Sequence, residues 1–87
     1  MISETITITN ETGLHARPAS VFVSTAAKFK SELTLQKGDK QVNAKSIMGV
    51  LSLGITKGTD IIISAQGPDE EEAVSALAEL ARLNFNE

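Results

Sequence analysis

The chain has a single histidine, His15, which stands at the boundary between two kinds of sequence pattern. An alternating Ile/Thr stretch and a turn precede it, and a helical pattern follows it. Pro18 predicts the first turn of that helix, because proline has no N–H to leave unpaired there. The residue before a proline is disfavoured in the helical conformation, so the helix begins either next to His15 or at Arg17. In both cases His15 lies at or just outside the amino end of the helix.

That location gives an anion on His15 two kinds of partner. The first N–H groups of the helix, from about Ala16 and Arg17, have no partner within it and lie at the positive end of its dipole. The Arg17 guanidinium adds charge-assisted hydrogen bonds. Near neutral pH a large share of free imidazole is unprotonated and nucleophilic. These parts suit a histidine that accepts and releases a phosphoryl group, whereas a histidine without such neighbours is more often a helix cap or a surface residue.

Two stretches resemble HPr, the histidine-containing phosphocarrier family of the bacterial phosphoenolpyruvate:sugar phosphotransferase system. Residues 13–20, Gly-Leu-His-Ala-Arg-Pro-Ala-Ser, are similar to the active-site signature of that family. Residues 43–54, Asn-Ala-Lys-Ser-Ile-Met-Gly-Val-Leu-Ser-Leu-Gly, are similar to the regulatory segment of HPr proteins from Gram-positive bacteria. The resemblance extends over essentially the whole chain, so we expect residues 1–87 to form one HPr-like domain.

The resemblance implies a carrier rather than a stand-alone enzyme, one that needs no cofactor and acts as a monomer. His15, through Nδ1, would accept the phosphoryl group from enzyme I, which draws on phosphoenolpyruvate, and would pass it to sugar-specific IIA domains. Arg17 and the backbone N–H of Ala16 would stabilise the phosphoryl oxygens, and Pro18 would begin the helix. Ser46 would be phosphorylated by the HPr kinase/phosphorylase, and phosphorylated Ser46 would engage a catabolite-control transcription regulator.

The segment after Ser46 predicts a docking surface, because it has more large apolar side chains than one side of two helical turns can bury. We assign Val50 and Leu53 to the core. The remaining three side chains are then partly exposed, as in many partner surfaces: Ile47, Met48 and Leu51. Burial of all five in the core is the alternative that periodicity leaves open. The resemblance adds the exposed side of the first helix to the same surface: Ala16, Ser20 and Ser24.

Ser46 has two interpretations that are compatible with each other. Serine is a favoured N-cap, which is sufficient reason for its position before a helix. As a phosphorylation site it would gain about −1.5 to −2 charges at a helix amino end, where such a charge is tolerated without refolding. The charge would lie beside the apolar docking surface and obstruct an acidic partner. We therefore expect regulation by altered docking with little change of shape.

Composition disfavours several other classes of function. The net charge is −3, the eight basic residues are scattered, and the aromatic residues, 3% of the chain, are all phenylalanine. A nucleic-acid partner is therefore not expected. The absence of cysteine and the single histidine exclude thiolate and histidine-rich metal sites, so we expect no metal. The sequence has no leader pattern, and glycine and serine interrupt its longest apolar stretch, residues 47–55, so we expect a cytoplasmic protein without membrane insertion.

The pattern of the whole chain predicts an α+β fold. The predicted elements are strands over residues 2–9, 32–36, 41–44 and 60–66, and helices over 16 to about 28, over 46–53 and from 69 onward. Asp69 has Glu72 three positions later, which is the spacing of a capping box. Helices on one face of an antiparallel sheet form a two-layer, open-faced sandwich. The resemblance adds the strand order 1-4-2-3, which the pattern alone leaves open.

Some positions depart from common family patterns. Thr12 replaces an asparagine found in some members, and Ser24 and Ala27 replace lysines, which reduces the positive charge available to acidic partners. The basic residues that remain near the expected site are Arg17, Lys28 and Lys45. The terminal Glu87 is a further candidate to approach the site.

Three alternatives in function stay open at this point. A regulatory-only paralogue would keep Ser46, but the retained His15 argues against it. A nitrogen-branch phosphocarrier would share His15, but the Ser46 segment favours the sugar branch. A small-molecule-binding domain is disfavoured because no glycine-rich or charged pocket motif is visible.

Overall fold

Over residues 1–86, the part of the chain that the computed structural model describes, four strands form one antiparallel sheet. The strands are β1 (Ile2–Thr7), β2 (Glu32–Lys37), β3 (Lys40–Asn43) and β4 (Asp60–Gln66). Their order across the sheet is β1-β4-β2-β3, and each neighbouring pair is antiparallel. The predicted order 1-4-2-3 is therefore confirmed.

Alternation along the strands separates a buried face of the sheet from a wetter one. In β4, which is central, Ile61 and Ile63 are fully buried while Ile62 points to the other face and is half-buried. In β1, Ile6 is buried and Thr5 is exposed. The period of two places Ile6, Ile61 and Ile63 on the core side, where the helices cover them.

The helices lie on the apolar face of the sheet. They are α1 (Ala16–Ala26), α2 (Ile47–Ser52) and α3 (Glu70–Arg82), followed by a short 3₁₀ turn (Asn84–Asn86). Helix α3 packs on β1 and β4, and α1 packs beside α2 and α3. The inner face of α3 is buried and includes Val74, Leu77, Ala78 and Ala81. The α+β, open-faced sandwich is confirmed. Within residues 1–86, each helix is too short or too polar to cross a bilayer.

Two elements, one strand and one helix, end about two residues earlier than the sequence pattern predicts. Strand β1 stops at Thr7, because its partner β4 begins at Asp60, directly opposite. The next residue, Ile8, is hydrogen-bonded to the turn before β4: its N–H donates to the Thr59 carbonyl at 2.9 Å. Helix α1 ends at Ala26 rather than near residue 28. Beyond it, the N–H groups of Lys28 and Phe29 donate to carbonyls three residues earlier, as in a 3₁₀ turn.

The amino end of α3 differs from the predicted capping box. Asp69 precedes the helix but makes no side-chain bond to it, so the pairing with Glu72 is wrong. Its carboxylate accepts instead from the N–H groups of Lys30 and Ser31, both at 2.9 Å, and from the Ser31 hydroxyl at 2.5 Å. The Ser31 hydroxyl is the largest cause that lowers the pKa of Asp69 to about 2. The two segments approach so closely that a Cβ on Gly67 would lie 2.7 Å from the Ser31 Cα atom.

The end of the described chain is packed rather than frayed. Phe85 is buried, and its ring meets that of Phe22 edge to face at a centroid distance of 6.4 Å. Asn84 and Phe85 both have positive φ, 54° and 57°. The Thr9 hydroxyl donates to the Asn84 amide oxygen at 2.9 Å, which ties this end to the segment after β1. Glu87, the further candidate site residue, lies outside the described residues.

Candidate functional site

The loop between β1 and α1 is a closed turn seated on a second loop. The Gly13 N–H donates to the Asn10 carbonyl at 3.2 Å, and the Leu14 N–H donates to the Ile55 carbonyl at 3.0 Å. Gly13 has φ +60, and a Cβ at this position would lie 2.4 Å from the Ile55 oxygen. Both the positive φ and the close approach require glycine. The loop therefore reaches α1 along one fixed path, with Leu14 buried beneath it.

His15 is the N-cap residue of α1 and its side chain is exposed. Its backbone is extended, with φ −81 and ψ −171, and its carbonyl accepts from the Ala19 N–H at 2.9 Å. Its Nδ1 atom accepts from the Arg17 N–H at 3.4 Å, a long hydrogen bond. The helix thus begins at Ala16, and the predicted position of His15 just outside its amino end is confirmed. The Nδ1 atom faces the backbone donors of the first turn.

The first turn of α1 brings together the other residues predicted around His15. Ala16 is its first residue and is exposed, and Arg17 is its second, with an exposed side chain. Pro18 is the third residue, a position in the first turn where a proline is tolerated because no N–H partner is needed. Its side chain is buried. An anion on Nδ1 would therefore meet backbone N–H groups of the first turn and an exposed guanidinium at the positive end of the helix dipole.

A neighbouring apolar patch follows from the packing of α2 beside α1. Val50 and Leu53 are buried, as predicted, while Met48 is 76% exposed and Leu51 is 37% exposed. Ile47 is half-buried against the core. On α1, three residues spaced four apart are exposed: Ala16, Ser20 and Ser24. We define the docking surface as the accessible residues of the two helices: Ala16, Ser20, Ser24, Ile47, Met48 and Leu51.

Ser46 is the N-cap of α2, as predicted. Its hydroxyl accepts from the Gly49 N–H at 3.1 Å, and its carbonyl accepts from the Val50 N–H at 3.0 Å. The side chain is partly accessible and lies next to Ile47 and Met48 in the chain. A charged group on the Ser46 hydroxyl would therefore stand at the edge of the docking surface.

Two basic residues expected near His15 lie at the other end of α1. The Lys45 ammonium donates to the Phe29 carbonyl at 2.7 Å, beyond the carboxyl end of the helix. An 11-residue helix is about 16 Å long, so Lys45 and Lys28 are remote from the histidine. The expectation that they surround the site is wrong, and among the basic residues we had expected near the site, Arg17 is the one beside the ring.

Two residues that sequence reasoning missed hold the elements of the site. The buried Asn10 side chain binds the Gly13 carbonyl at 2.7 Å, inside the loop that carries His15. An Asn-x-x-Gly spacing is a typical turn signature and would have indicated it. The Lys37 ammonium donates to the carbonyls of Leu53 and Gly54 at the carboxyl end of α2, at 3.0 and 3.2 Å. No local pattern indicates that second contact.

The acidic residue nearest in sequence to His15 is neutralised by a lysine. Glu11 accepts from the Lys57 ammonium at 2.6 Å, and this hydrogen bond and charge lower the pKa of Glu11. The negative charge of Glu11 is thus held against the neighbouring loop. Within residues 1–86, the structure gathers no group of three or more histidine, aspartate or glutamate side chains that would hold a metal ion.

Known proteins match this chain along nearly its whole length. Residues 2–82 match the family model described as the PTS HPr component phosphorylation site. The structure of HPr-C-His from Thermoanaerobacter tengcongensis is 54% identical, with a TM-score of 0.97, over 100% of this chain and 98% of that chain. The phosphocarrier protein HPr from Bacillus anthracis is 44% identical, with a TM-score of 0.87, over 90% and 93%. The Bacillus subtilis catabolite repression protein Crh, solved as a dimer with a swapped domain, is 44% identical, with a TM-score of 0.77, over 97% of each chain.

The family match over residues 2–82 and the high TM-scores of the two HPr structures agree with the fold. The chain therefore belongs to the HPr family, the phosphocarrier proteins of the phosphotransferase system.

Proposed function

We propose that this chain accepts a phosphoryl group on Nδ1 of His15 from enzyme I and passes it to sugar-specific IIA domains. The observation that carries the proposal is the position of Nδ1 at the amino end of α1, 3.4 Å from the Arg17 N–H. The ring is exposed, so a donor can approach it from solvent. Phosphoryl transfer depends mainly on in-line positioning and on neutralised oxygens, and the first turn of α1 supplies donors for those oxygens.

The transfer step needs no further reactant. The lone pair on Nδ1 forms a bond to the phosphorus atom of the phosphohistidine on enzyme I, while the donor's P–N bond breaks and its electron pair returns to the donor imidazole. The backbone N–H of Arg17 then has phosphoryl oxygens to bind in place of Nδ1, and the Arg17 guanidinium neutralises their charge. The reverse sequence delivers the group to a IIA domain.

The test uses the whole chain with enzyme I and phosphoenolpyruvate. We expect mass spectrometry to show one phosphoryl group that is lost in acid, and His15→Ala to remove it. Ser46→Ala is the matched control, because it removes the other proposed site and should still be labelled. Labelling of His15→Ala, or none of the parent chain, would contradict the proposal.

We further propose that Ser46 is a regulatory phosphorylation site, used by the HPr kinase/phosphorylase and read by a catabolite-control transcription regulator. Its support is the N-cap position, where α2 offers its amino end to a phosphate next to Met48 of the docking surface. With kinase and ATP we expect an acid-stable adduct that Ser46→Ala abolishes. A large change in the amide spectrum of Ser46→Asp would argue against regulation through docking alone.

A regulatory-only role is the second candidate, because Crh, which is called a catabolite repression protein, is 44% identical to this chain. The two roles differ in one observable, which is labelling by enzyme I. A chain that is labelled by the kinase on Ser46 but never by enzyme I would have the regulatory role alone. We favour the carrier role because this chain has His15 at the amino end of α1.

We also propose that residues 1–87 act as one domain, as a monomer in the cytoplasm. The monomer is supported by the arrangement of His15, Arg17 and the docking surface, which one chain supplies entirely. The oligomeric state should be measured, because the related Crh was solved as a dimer with a swapped domain. Light scattering coupled to size exclusion should give the mass of one chain at micromolar concentration, and a stable dimer would overturn this part.

A further inference from the structure

We propose that Asn10 is a positioning residue for His15, acting through the peptide between Gly13 and Leu14. The inference rests on the proposed role of His15. Asn10 is a polar residue at the start of the loop, yet its exposure is only 5%. A buried amide makes hydrogen bonds or costs stability, so its partners show what it holds in place.

Asn10 binds both polar backbone groups of Gly13. Its carbonyl accepts from the Gly13 N–H at 3.2 Å, and its side-chain Nδ2 donates to the Gly13 carbonyl at 2.7 Å. Nδ2 also lies 3.5 Å from the Thr12 hydroxyl oxygen, within the same turn. One residue thus closes the turn through its backbone and through its side chain.

The peptide that follows Gly13 is therefore held at both of its polar atoms. Asn10 Nδ2 binds its oxygen, and the Ile55 carbonyl accepts from its N–H, which belongs to Leu14, at 3.0 Å. A planar peptide with both groups bound has little freedom to rotate. His15 comes one residue later, and its own carbonyl is fixed by the Ala19 N–H.

This arrangement leaves few soft dihedrals to orient the imidazole. Without the Asn10 amide, the Gly13 carbonyl loses its partner and the peptide can rotate away from Ile55. Rotation there changes the direction in which the His15 ring leaves the backbone and lengthens a hydrogen bond from Arg17 that is already 3.4 Å long. Transfer depends on that orientation, whereas docking does not, because Asn10 lies outside the docking surface.

The test compares two substitutions with one control. Asn10→Ala removes the amide and leaves a cavity, while Asn10→Leu removes the hydrogen bonds but keeps the volume. Ser31→Ala is the matched control, since Ser31 is also buried and its hydroxyl also holds a distant segment through Asp69, far from His15. Thermal melting reports the stability of each variant, and the His15 ring chemical shifts report its orientation without any phosphoryl donor.

We expect both Asn10 variants to accept phosphoryl groups about 10-fold more slowly at saturating enzyme I, with KM unchanged, within the ~100-fold loss that a displacement of about 1 Å can cause. Their His15 ring shifts should move, and those of Ser31→Ala should not, even where its melting temperature falls equally. Unchanged ring shifts and kcat in Asn10→Ala, or full recovery in Asn10→Leu, would overturn the inference. If the parent chain is not labelled at all, the proposed function fails, while the ring shifts still decide whether Asn10 orients His15.

Discussion

The amino ends of α1 and α3 both present backbone donors, and the side chains around them have opposite charges. The first turn of α3 carries three acids, Glu70, Glu71 and Glu72, at the positive end of the helix dipole. The first turn of α1 carries a base, Arg17, and its cap residue is the exposed His15. One end is complemented by the chain's own carboxylates, and the other is complementary to an anion that has to be brought to it.

The helix ends that lack acidic residues are the ones that can receive a charged group. Helix α2 follows the pattern of α1, since it begins with Ile47, Met48 and Gly49 after a Ser46 cap. The two helices that begin without acids thus start at the two proposed phosphorylation sites. At α3, in addition, the Asp69 carboxylate is turned away from the helix toward Ser31 and Lys30, where it joins two distant segments. That end serves stability.

The largest expected effect comes from removing the acceptor at α1. His15→Ala should abolish phosphoryl transfer completely while the thermal melting curve stays close to that of the parent, because the side chain is exposed. Transfer is measured by sugar phosphorylation with enzyme I and a IIA-containing permease. A variant that still supports sugar phosphorylation would show that the amino end of α1 is not the carrier site.

The next effect comes from giving α1 the acid that α3 has. Ala16→Glu should slow phosphoryl acceptance by about 100-fold, because a like charge beside the incoming group costs several kcal/mol. The helix itself should be slightly stabilised, since an acid in the first turn complements the dipole. Ala16→Gln is the matched control with the same size and no charge. Equal rates for the two variants would show that the negative charge of Ala16→Glu does not slow phosphoryl acceptance.

A smaller effect is expected from Arg17. Arg17→Ala should keep the fold and slow transfer by about 10-fold, the lower end of what a hydrogen bond to a charged group contributes, about 1.5–3 kcal/mol. The backbone N–H of residue 17 remains in the variant, so part of the anion site persists. Single-turnover rates with phosphorylated enzyme I measure the loss. An unchanged rate would show that backbone N–H groups alone stabilise the phosphoryl oxygens.

The smallest effect on transfer is expected at α3, where the change should appear in stability instead. The pKa of Asp69 is lowered to about 2, mainly by the Ser31 hydroxyl, from about 3.9 in an unfolded chain. Its stabilising contribution is therefore complete above about pH 4 and is lost as the pH falls toward 2. Asp69→Asn should lower the urea midpoint at pH 7, and the difference from the parent should shrink as the pH falls through about 2. Transfer by Asp69→Asn should match the parent.

Local sequence patterns predicted the parts of the fold that depend on periodicity. Alternation placed Ile6 on one side of its strand, and Pro18 located the start of α1, because these signals act within a few residues. The same reasoning failed at Asp69, whose spacing to Glu72 suggested a capping box. Its partners lie 38 and 39 residues away, and a pattern within one helix carries no information about them.

The site shows the same division. The family resemblance of residues 13–20, together with the predicted helix start, placed His15 beside Arg17. The hydrogen bond from the Arg17 N–H to His15 Nδ1 agrees with that position. The sequence placed Lys45 near that site, but the fold carries its ammonium to the far end of α1, where it binds the Phe29 carbonyl. Long flexible side chains find carbonyl partners through tertiary contacts, so their positions had to come from the structure.

In the proposed transfer, Nδ1 of His15 receives the phosphoryl group at the amino end of α1. The most direct measurement is ³¹P and ¹⁵N NMR of the chain, labelled with ¹⁵N-histidine and treated with enzyme I and phosphoenolpyruvate. We predict one phosphorus signal coupled to Nδ1, with a shifted amide resonance for Arg17. Phosphorus on Nε2, on another residue or nowhere would contradict the account.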